Sequence, residues 1–419
     1  MNLRPQLLAR PQLRSSAVAA AVLGLALLSC AQPEARTGAS ALVELPSPAG
    51  TQSGEPFLSS DRSGGVHLSW LERTGDSTFA LRYSSLAGDQ WAPPATIAER
   101  GDFFVNWADF PSVQATAEGT LIAHWLQRRP GGKYSYDVML ARSSDSGRRW
   151  SPGTVLNRDG VAAEHGFLAM WMPSSGGAEA AWLDGRGSAS PDTAQRAMSV
   201  YTTSIAADGS LGDEQPLDRR TCDCCQVAAT LTPSGPVVAY RDRTADDVRD
   251  IAVVRRVGGV WTEPQVVHHD DWQIAACPVN GPALASRGDT VVIAWFTGAQ
   301  DTARVRVAYS TDAGAHFGPP VRIDGGMPAG RVDVEALDDG SAAVSWLERS
   351  DSASAEVRLR RVRSDGSMGA PMVLARSAGA RASGFPRITR QGNALIVAWT
   401  DTGDESRVRV ARFPLAALP

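Results

Sequence analysis

The sequence predicts an all-β fold, a single β-propeller of seven four-stranded blades. A short apolar strand that ends in an aromatic residue recurs seven times along the 419 residues. Successive copies lie 51 to 58 residues apart, and only strand signals fill the intervals, which is typical of propellers rather than helical repeats. The recurring aromatic residues are Trp70, Trp125, Trp182, Tyr240, Trp295, Trp346 and Trp399.

Each repeat contains signals for four strands. In the second repeat these are PSVQATAEG, TLIAHWLQR, YDVMLARSSDSG and WSPGTVL, where alternation and β-branched residues favour strands and Gly, Asp and Pro mark turns. The seventh repeat ends after its third strand. Residues 41–45, ALVEL, resemble the outer strands and precede the first repeat. We therefore expect this N-terminal strand to close the last blade, which removes an exposed sheet edge.

Residues 1–29 are typical of a signal peptide. Three arginines, Arg4, Arg10 and Arg14, precede the apolar run AVAAAVLGLALLSC, which is too short to cross a membrane comfortably. The ending LLSC resembles the bacterial lipoprotein signal, and this resemblance implies cleavage before Cys30 and lipidation of its thiol. The alternative is an ordinary secretory peptide with an incidental cysteine. Residues 30–40 are then a lipid-anchored tether and residues 41–419 the propeller.

Composition excludes some classes of partner. Charged residues make up 21% of the chain and the formal net charge is −4, so no basic excess indicates nucleic acid. Beyond Cys30 no second apolar run of spanning length occurs. We expect a protein of the cell envelope, facing the periplasm or the cell surface. It would touch the membrane through its lipid anchor only and lie in an oxidising compartment.

Two turns share a motif. SSDSGRRW, residues 143–150, and STDAGAHF, residues 310–317, fit the pattern S-x-D-x-G-x-x-aromatic, and SSLAGDQW is a degenerate copy. These look like the Asp-boxes (BNR repeats) of sialidases and related propellers. Ser and Asp side chains bond the backbone of such a turn, and glycine supplies a positive φ. We expect these turns between third and fourth strands, away from any ligand.

Several segments, among them NWADFPS, EHGF, WLDGR, CDCCQ, YRDR and SGFPRI, are similar to a bacterial sialidase-like family. Propellers of this family usually have six blades, which is the alternative to seven. The resemblance implies a glycan ligand and an exo-sialidase-like glycoside hydrolase. Sialidases carry an Arg-Ile-Pro motif, three arginines that clamp a carboxylate, a Tyr/Glu nucleophile pair and an acidic Asp. This chain lacks Arg-Ile-Pro, so whether it is an enzyme stays open.

A ligand site is expected on one face of the ring, which we call the ligand face. There the loops that lead into the first strands meet the loops between second and third strands. Guanidinium groups bind carboxylates, and paired carboxyls can catalyse glycoside cleavage. Ion pairs between blades are the alternative role. The candidate catalytic residues are Asp109, Glu164, Asp184 and Asp242, and the candidate substrate-binding residues are Arg186, Arg241, Arg243, Arg331, Arg387, Trp107, Trp272 and His165.

Three of the five cysteines stand within four positions, in RTCDCCQVAA. Cys222, Cys224 and Cys225 lead into the first strand of the fourth blade, and Cys277 holds the equivalent place in the fifth. Neighbouring first strands should bring these thiols together on the ligand face. An oxidising compartment favours one or two disulfides. A zinc or copper site and a redox-active pair at Cys224–Cys225 are the alternatives.

The sequence leaves three functions open. The first is binding or hydrolysis of a glycan or another small anionic ligand by the face rich in arginine and aspartate, which requires no cofactor. The second is binding of a glycan or protein without catalysis. The third is a metal or redox protein built on the four cysteines, which would use zinc or copper. A propeller can serve all three.

Overall fold

The structure, a computed structural model, describes residues 36–37, 41–193 and 196–419. The predicted signal peptide and Cys30 lie outside the described residues, so export and lipidation stay predictions. None of the helices in the described part of the chain has the length and apolar character that a bilayer crossing requires.

Seven small antiparallel sheets form the seven blades of a β-propeller, which confirms the predicted fold and the number of blades. The first strands surround the centre. They are β3 (Ser53–Ser60), β8 (Ser112–Ala115), β12 (His165–Trp171), β16 (Ala228–Thr232), β21 (Ala283–Arg287), β25 (Pro328–Ala336) and β29 (Arg387–Gln391). The second strands are β4 (Val66–Arg73), β9 (Leu121–Arg128), β13 (Ala178–Asp184), β17 (Gly235–Arg241), β22 (Thr290–Thr297), β26 (Ala342–Arg349) and β30 (Ala394–Asp401).

The outer half of each blade is less regular. The third strands are β5 (Phe79–Ala87), β10 (Tyr136–Ser143), β14 (Met198–Ile205), β18 (Ile251–Val257), β23 (Arg304–Ser310), β27 (Ser354–Val362) and β31 (Arg407–Pro414). The fourth strands are β7 (Ala95–Arg100), β11 (Thr154–Val155), β15 (Gln215–Thr221), β20 (Gln265–Val266), β24 (Val321–Arg322), β28 (Met372–Ala378) and β2 (Val43–Leu45). Three short strands, β6 (Gln90–Trp91), β19 (Val260–Trp261) and β1 (Arg36–Thr37), add to three of these sheets. Four 3-10 turns cover Arg186–Ala189, Ala299–Asp301, Arg381–Ser383 and Leu415–Ala417.

The N-terminal strand closes the ring as predicted. β2 pairs antiparallel with β31, which places Val43 opposite Arg412 and Leu45 opposite Val410. Beyond the strand, the Ser47 hydroxyl donates a 2.6 Å hydrogen bond to the carbonyl of Val408. Within the predicted tether, β1 pairs in parallel with β28 of the sixth blade. The first described residues therefore attach to the last two blades of the chain.

The seven recurring aromatic residues are all buried between blades. In three blades the indole N–H of the tryptophan donates to a carboxylate two residues later. The bonds are Trp70 to Glu72 at 3.1 Å, Trp182 to Asp184 at 2.8 Å and Trp346 to Glu348 at 2.5 Å. An acceptor offsets the cost of burying an indole N–H, although the buried Nε1 of Trp125 has none among the described residues. The acidic residue of this Trp-x-acid pattern therefore holds the blade together.

The two turns with the shared motif have the hydrogen bonds expected of them. In each, the serine hydroxyl donates to the aspartate and accepts from the glycine N–H, with the latter bond at 2.9 Å for Ser143 and for Ser310. The φ of Gly147 is 83° and that of Gly314 is 80°. Both turns join a third to a fourth strand, so their polar groups stabilise hairpins and lie apart from the first strands.

Leu45→Ala tests the ring closure. Leu45 is 5% exposed and packs with Val408 and Val410, whereas Val43 on the same strand is 58% exposed. Truncation of a buried leucine typically costs about 2–5 kcal/mol. We expect Leu45→Ala to lower the free energy of unfolding by about 2 kcal/mol or more and Val43→Ala to change it little. Denaturant titration measures both, and equal effects would show that β2 does not close a packed core.

Candidate functional site

The first strands enclose a cavity of about 110 Å³ at the centre of the ring. All seven blades contribute to its wall, and the wall is both aromatic and polar. The aromatic side chains are Phe57, Phe110, Phe167 and Phe385, and the polar ones are Asp109, Gln114, Gln226, Asp333 and Arg387. Of the residues predicted from sequence, the cavity brings together Asp109 and Arg387.

Bulges in three first strands shape this wall. The pairing register shifts between Gly54 and Phe57, between Gly166 and Ala169, and between Gly330 and Asp333. A non-glycine residue with positive φ sits in each bulge: Glu55 at 51°, Phe167 at 53° and Arg331 at 55°. Such conformations are uncommon, and a bulge re-aims the side chains that follow it. In β3 and β25 the next side chains, Phe57 and Asp333, line the cavity.

Arg387 is the cation of the cavity. Its guanidinium carbon lies 4.8 Å from the ring centre of Phe57 and 5.3 Å from that of Phe110. Its Nε lies 3.3 Å from Oδ2 of Asp333, an oxygen that also accepts a 2.8 Å bond from the Ile388 N–H. Among the described residues, none accepts a hydrogen bond from the two terminal nitrogens of Arg387. The guanidinium is therefore positioned by Asp333 and the rings and retains free donors.

Asp109 is the second reactive group of the cavity wall. Its Oδ1 accepts a 2.8 Å hydrogen bond from the Phe167 N–H. Its buried Oδ2 has no hydrogen-bond partner among the described residues. Gly166 permits this packing, because a Cβ there would lie 2.1 Å from Oδ2. Burial raises the pKa of Asp109 to about 8, so at neutral pH the carboxyl is protonated and can donate a hydrogen bond.

Asp333 differs from Asp109 in having a cationic neighbour. Burial raises the pKa of the Asp333 carboxyl, and the Arg387 guanidinium opposes that shift. The cavity therefore presents one guanidinium, its paired carboxyl and one neutral acid. This combination suits a ligand with an anionic group and neighbouring hydroxyls.

Three predicted site residues instead form a buried ionic cluster in the third blade. Asp184 is fully buried, and Arg186 donates to it at 2.7 Å and to Glu214 at 2.7 Å. The His165 ring, opposite Asp184 in the strand register, lies 2.8 Å from Oδ2 of Asp159. These contacts provide polar partners for the side chains of the cluster. Asp184, Arg186 and His165 lie outside the cavity wall. Their surroundings support a structural role, and their catalytic and binding roles stay predictions.

Arg241, a predicted substrate-binding residue, also lies outside the cavity wall. It is 1% exposed, and its guanidinium donates to three backbone carbonyls, those of Asn280, Arg249 and Phe296, at 2.7 to 3.0 Å. The ring of Trp272 packs against the guanidinium, with 4.9 Å between the guanidinium carbon and the ring centre. Because carbonyls use these donors, Arg241 joins the fourth blade to the fifth. Trp272, a candidate substrate-binding residue, is buried beside it.

Arg331, like Arg241, joins neighbouring blades through hydrogen bonds from its guanidinium. Its terminal nitrogens donate to the Ser383 hydroxyl at 2.7 Å and to the carbonyls of Gly384 at 2.9 Å and Ala380 at 3.0 Å. Burial lowers the pKa of Arg331 to about 10. Its guanidinium carbon lies 4.7 Å from the ring centre of Trp107. Arg331 thus fastens the sixth blade to the loop before β29 and does not face the cavity.

Glu164 belongs to a tyrosine–glutamate pair that the sequence did not reveal. The Tyr136 hydroxyl donates a 3.3 Å hydrogen bond to Glu164. Tyr136 is 1% exposed and stacks on Phe104 with 4.0 Å between ring centres, and neither member of the pair lines the cavity. Burial raises the pKa of Tyr136 well above its ordinary value. A tyrosine so placed is a poor nucleophile for a ligand in the cavity.

Two further predicted site residues, the catalytic candidate Asp242 and the substrate-binding candidate Arg243, lie in the loop after β17. Arg243 donates to Asp247 at 2.8 Å and to Asp223 at 3.0 Å. Burial raises the pKa of Asp242 to about 6. Both residues lie on the ligand face, in the loop next to the cysteines, and outside the cavity wall.

The four cysteines meet as the repeat predicts, with free thiols. Sγ of Cys222 lies 3.3 Å from that of Cys225 and 4.0 Å from that of Cys224. Cys277 of the next blade lies beside Cys224 but outside the group of three cysteines whose Sγ atoms all lie within 4.8 Å of one another. No disulfide joins the cysteines that the structure describes, so the predicted disulfide is not shown. Nη1 of Arg249 donates to Sγ of Cys222 at 3.3 Å.

Comparisons with known proteins bear on the fold. No protein-family model and no curated protein matches this chain. The Hadza microbial sialidase Hz136 is 16% identical, with a TM-score of 0.45 over 70% of this chain and 63% of that one. The NanB sialidase of Streptococcus pneumoniae is 14% identical, with a TM-score of 0.47 over 90% of this chain and 71% of that one. The polysaccharide lyase Uly1 is 9% identical, with a TM-score of 0.50 over 86% of this chain and 90% of that one.

This chain folds as a seven-bladed β-propeller. It spans less than two thirds of the Hadza sialidase. At these identities the likeness concerns the fold alone. Membership of the Asp-box family and the lipoprotein form with a CxCC motif stay predictions.

Asp109→Asn tests the state of the buried acid. Since the pKa rises from 3.8 to about 8, the folded protein keeps a proton that the unfolded chain releases. The contribution of this retained proton to the free energy of unfolding is complete below about pH 4 and is lost as the pH rises through 8. We expect Asp109→Asn to flatten the fall in unfolding free energy between these limits, by on the order of a few kcal/mol.

Denaturant unfolding across this pH range measures the effect. Asp76→Asn, at a solvent-exposed loop position, is the matched control and should follow the unmodified protein. Parallel pH profiles for Asp109→Asn and the unmodified protein would show that Asp109 is ionised in the folded state.

Proposed function

We propose that the protein binds the acidic end group of a glycan in the central cavity, with Arg387 as its anchor. The observation that carries the proposal is the Arg387 guanidinium, which has free terminal donors although it is held between Phe57, Phe110 and Asp333. Guanidinium pairs with a carboxylate or sulfate through two parallel hydrogen bonds. Protonated Asp109 would donate to a hydroxyl or carbonyl of the same ligand.

The size of the cavity limits which ligands can enter it. Its volume of about 110 Å³ equals that of about four water molecules in the liquid. Whole small-molecule sites are usually about 300–1,000 Å³. The cavity therefore suits one terminal group of a larger molecule, whose remainder would lie on the ligand face. The aromatic wall supplies apolar contact for the carbon skeleton of a sugar.

The sequence of the N-terminal segment supports a location for this activity. We propose that the protein is exported, cleaved before Cys30 and lipidated there, so that the propeller faces the periplasm or the cell surface. A glycan-binding propeller held at the envelope would meet polysaccharides from the surface or the surroundings.

Hydrolysis is the second candidate function, and Asp109 is the observation that favours it. A carboxyl kept protonated near neutral pH can act as the general acid of a glycosidase. The Tyr136–Glu164 pair lies outside the cavity wall, and the second carboxyl of the wall, Asp333, is paired with Arg387. Binding without cleavage therefore accounts for more of the site.

Arg387→Ala tests the binding site. We expect it to weaken binding of uronate-, sialate- or sulfate-containing oligosaccharides by about 10- to 100-fold, because a charged hydrogen-bonded contact is worth about 1.5–3 kcal/mol. Arg390→Ala is the matched control, since Arg390 lies on the same strand and pairs with Asp338. Glycan arrays followed by calorimetry provide the measurement. Equal affinities for Arg387→Ala and the unmodified protein would place the site elsewhere.

An activity panel separates binding from cleavage. We expect purified protein to release no sialic acid from sialosides and to leave aryl glycosides intact. Cleavage of any substrate at a rate lowered about 100-fold or more by Asp109→Asn would favour the hydrolase instead. Asp76→Asn serves as the control for general effects of the substitution.

A further inference from the structure

The four cysteines form a cluster that glycan binding does not use. Cys222 and Cys225 are buried, Cys224 is half-buried and Cys277 is exposed. The Sγ atoms of the first three all lie within 4.8 Å of one another. Three thiols this close, with a fourth beside them, point to a shared partner rather than to independent packing. We propose that Cys222, Cys224, Cys225 and Cys277 bind one soft metal ion, Zn²⁺ or Cu(I), through their sulfurs.

The spacing of the sulfurs fits a metal better than a covalent bond. In a tetrahedral site with metal–sulfur bonds of about 2.3 Å, neighbouring sulfurs lie about 3.8 Å apart. The distances of 3.3 Å and 4.0 Å around Cys222 bracket this value. A disulfide would need about 2.05 Å, and a bond between the adjacent Cys224 and Cys225 would be strained.

The surrounding charge also suits bound thiolates. Arg249, which is 3% exposed, donates from Nη1 to Sγ of Cys222 at 3.3 Å. The Arg241 guanidinium is near enough to act electrostatically on the same sulfur. One Zn²⁺ with four thiolates carries two net negative charges. Arg249 and Arg241 are its positive neighbours, and Arg249 is shared with the carboxylates of Asp223 at 3.8 Å and Asp247 at 3.4 Å. Donors around the sulfurs of a metal site orient the ligands and stabilise their charge.

The cluster has a route for the ion and a mechanical role. Cys277 is exposed, so an ion can enter from the ligand face and be closed off by that last sulfur. The metal would join the loop before β16 to the loop before β21. Gln226 follows the cluster directly and bridges the same loops to the second blade. Its Nε2 donates to the Ala108 carbonyl at 2.5 Å, and its Oε1 accepts from the Gly281 N–H at 2.8 Å. A bound ion would therefore fix part of the cavity wall.

Metal analysis of the full-length protein tests the proposal. Protein isolated without chelator and protein reduced and then loaded anaerobically with Zn²⁺ or Cu(I) are compared by elemental analysis and thiol titration. Four sulfur ligands favour Zn²⁺ and three favour Cu(I). We expect about one ion per chain, with the cluster thiols protected from modification. Substitution by Co²⁺ should give the charge-transfer bands of thiolate coordination.

Variants locate the ligands. Cys224→Ser should abolish stoichiometric binding. Cys277→Ser should release Zn²⁺ but retain Cu(I) if three sulfurs suffice. Cys30→Ser, outside the cluster, is the control and should retain the ion. Arg249→Gln should weaken binding about 10-fold or more, as expected for a group that contacts a ligand.

Two results would overturn the proposal. One is protein with four reactive cluster thiols that takes up no stoichiometric ion. The other is protein in which thiol titration and mass spectrometry show disulfides and which binds an ion at neither Cys224 nor Cys277 after reduction. Neither result depends on a glycan. Metal content and glycan affinity are measured separately, so failure of the metal proposal is distinguishable from failure of the glycan proposal.

Discussion

The ring is closed by the pairing of β2 with β31, the last strand of the chain. The cavity depends on this closure because all seven blades line it. β2 supplies the fourth strand of the last blade and covers the edge of β31. Without β2, the seventh blade would expose the edge of β31 and the apolar side chains that β2 covers. Closed, the first strands converge, and single residues from distant parts of the sequence reach one cavity. Phe57 and Arg387 are separated by most of the chain and still lie in contact.

Satisfaction of hydrogen bonds, rather than charge, separates Arg241 and Arg331 from Arg387, the proposed anchor. Arg241 and Arg331 are buried, and carbonyls or a hydroxyl accept from their terminal nitrogens. Arg387 also lies within the ring, but its buried Nε, 3.3 Å from Oδ2 of Asp333, has no hydrogen-bond partner among the described residues. Burying a guanidinium is costly unless its donors are paired. Donors left free at the cavity therefore indicate a group that a ligand would complete.

The cavity and the thiol cluster share the same end of the propeller. The cavity wall is built from the first strands and the segments before them, and the thiol cluster from two of those segments. Gln226 directly follows the cysteine triplet and belongs to the cavity wall. The central strands are rigid because each pairs within its blade and packs against the next. Segments before these strands are less constrained by the ladder, so they can carry reactive side chains. Function concentrates there because the scaffold holds these loops in place.

The sequence by itself determined the architecture. Seven aromatic strands at a regular interval specify seven blades, the incomplete last repeat requires the strand at residues 41–45, and equivalent positions in neighbouring repeats bring Cys277 to the cysteine triplet. Periodicity predicts such features because each repeat folds alike. Only the tertiary structure decided which charged residues face the cavity. Bulges near Phe57 and Asp333 shift the side-chain alternation, and contacts between blades bury Asp184 and Arg241, effects that involve residues far apart in sequence.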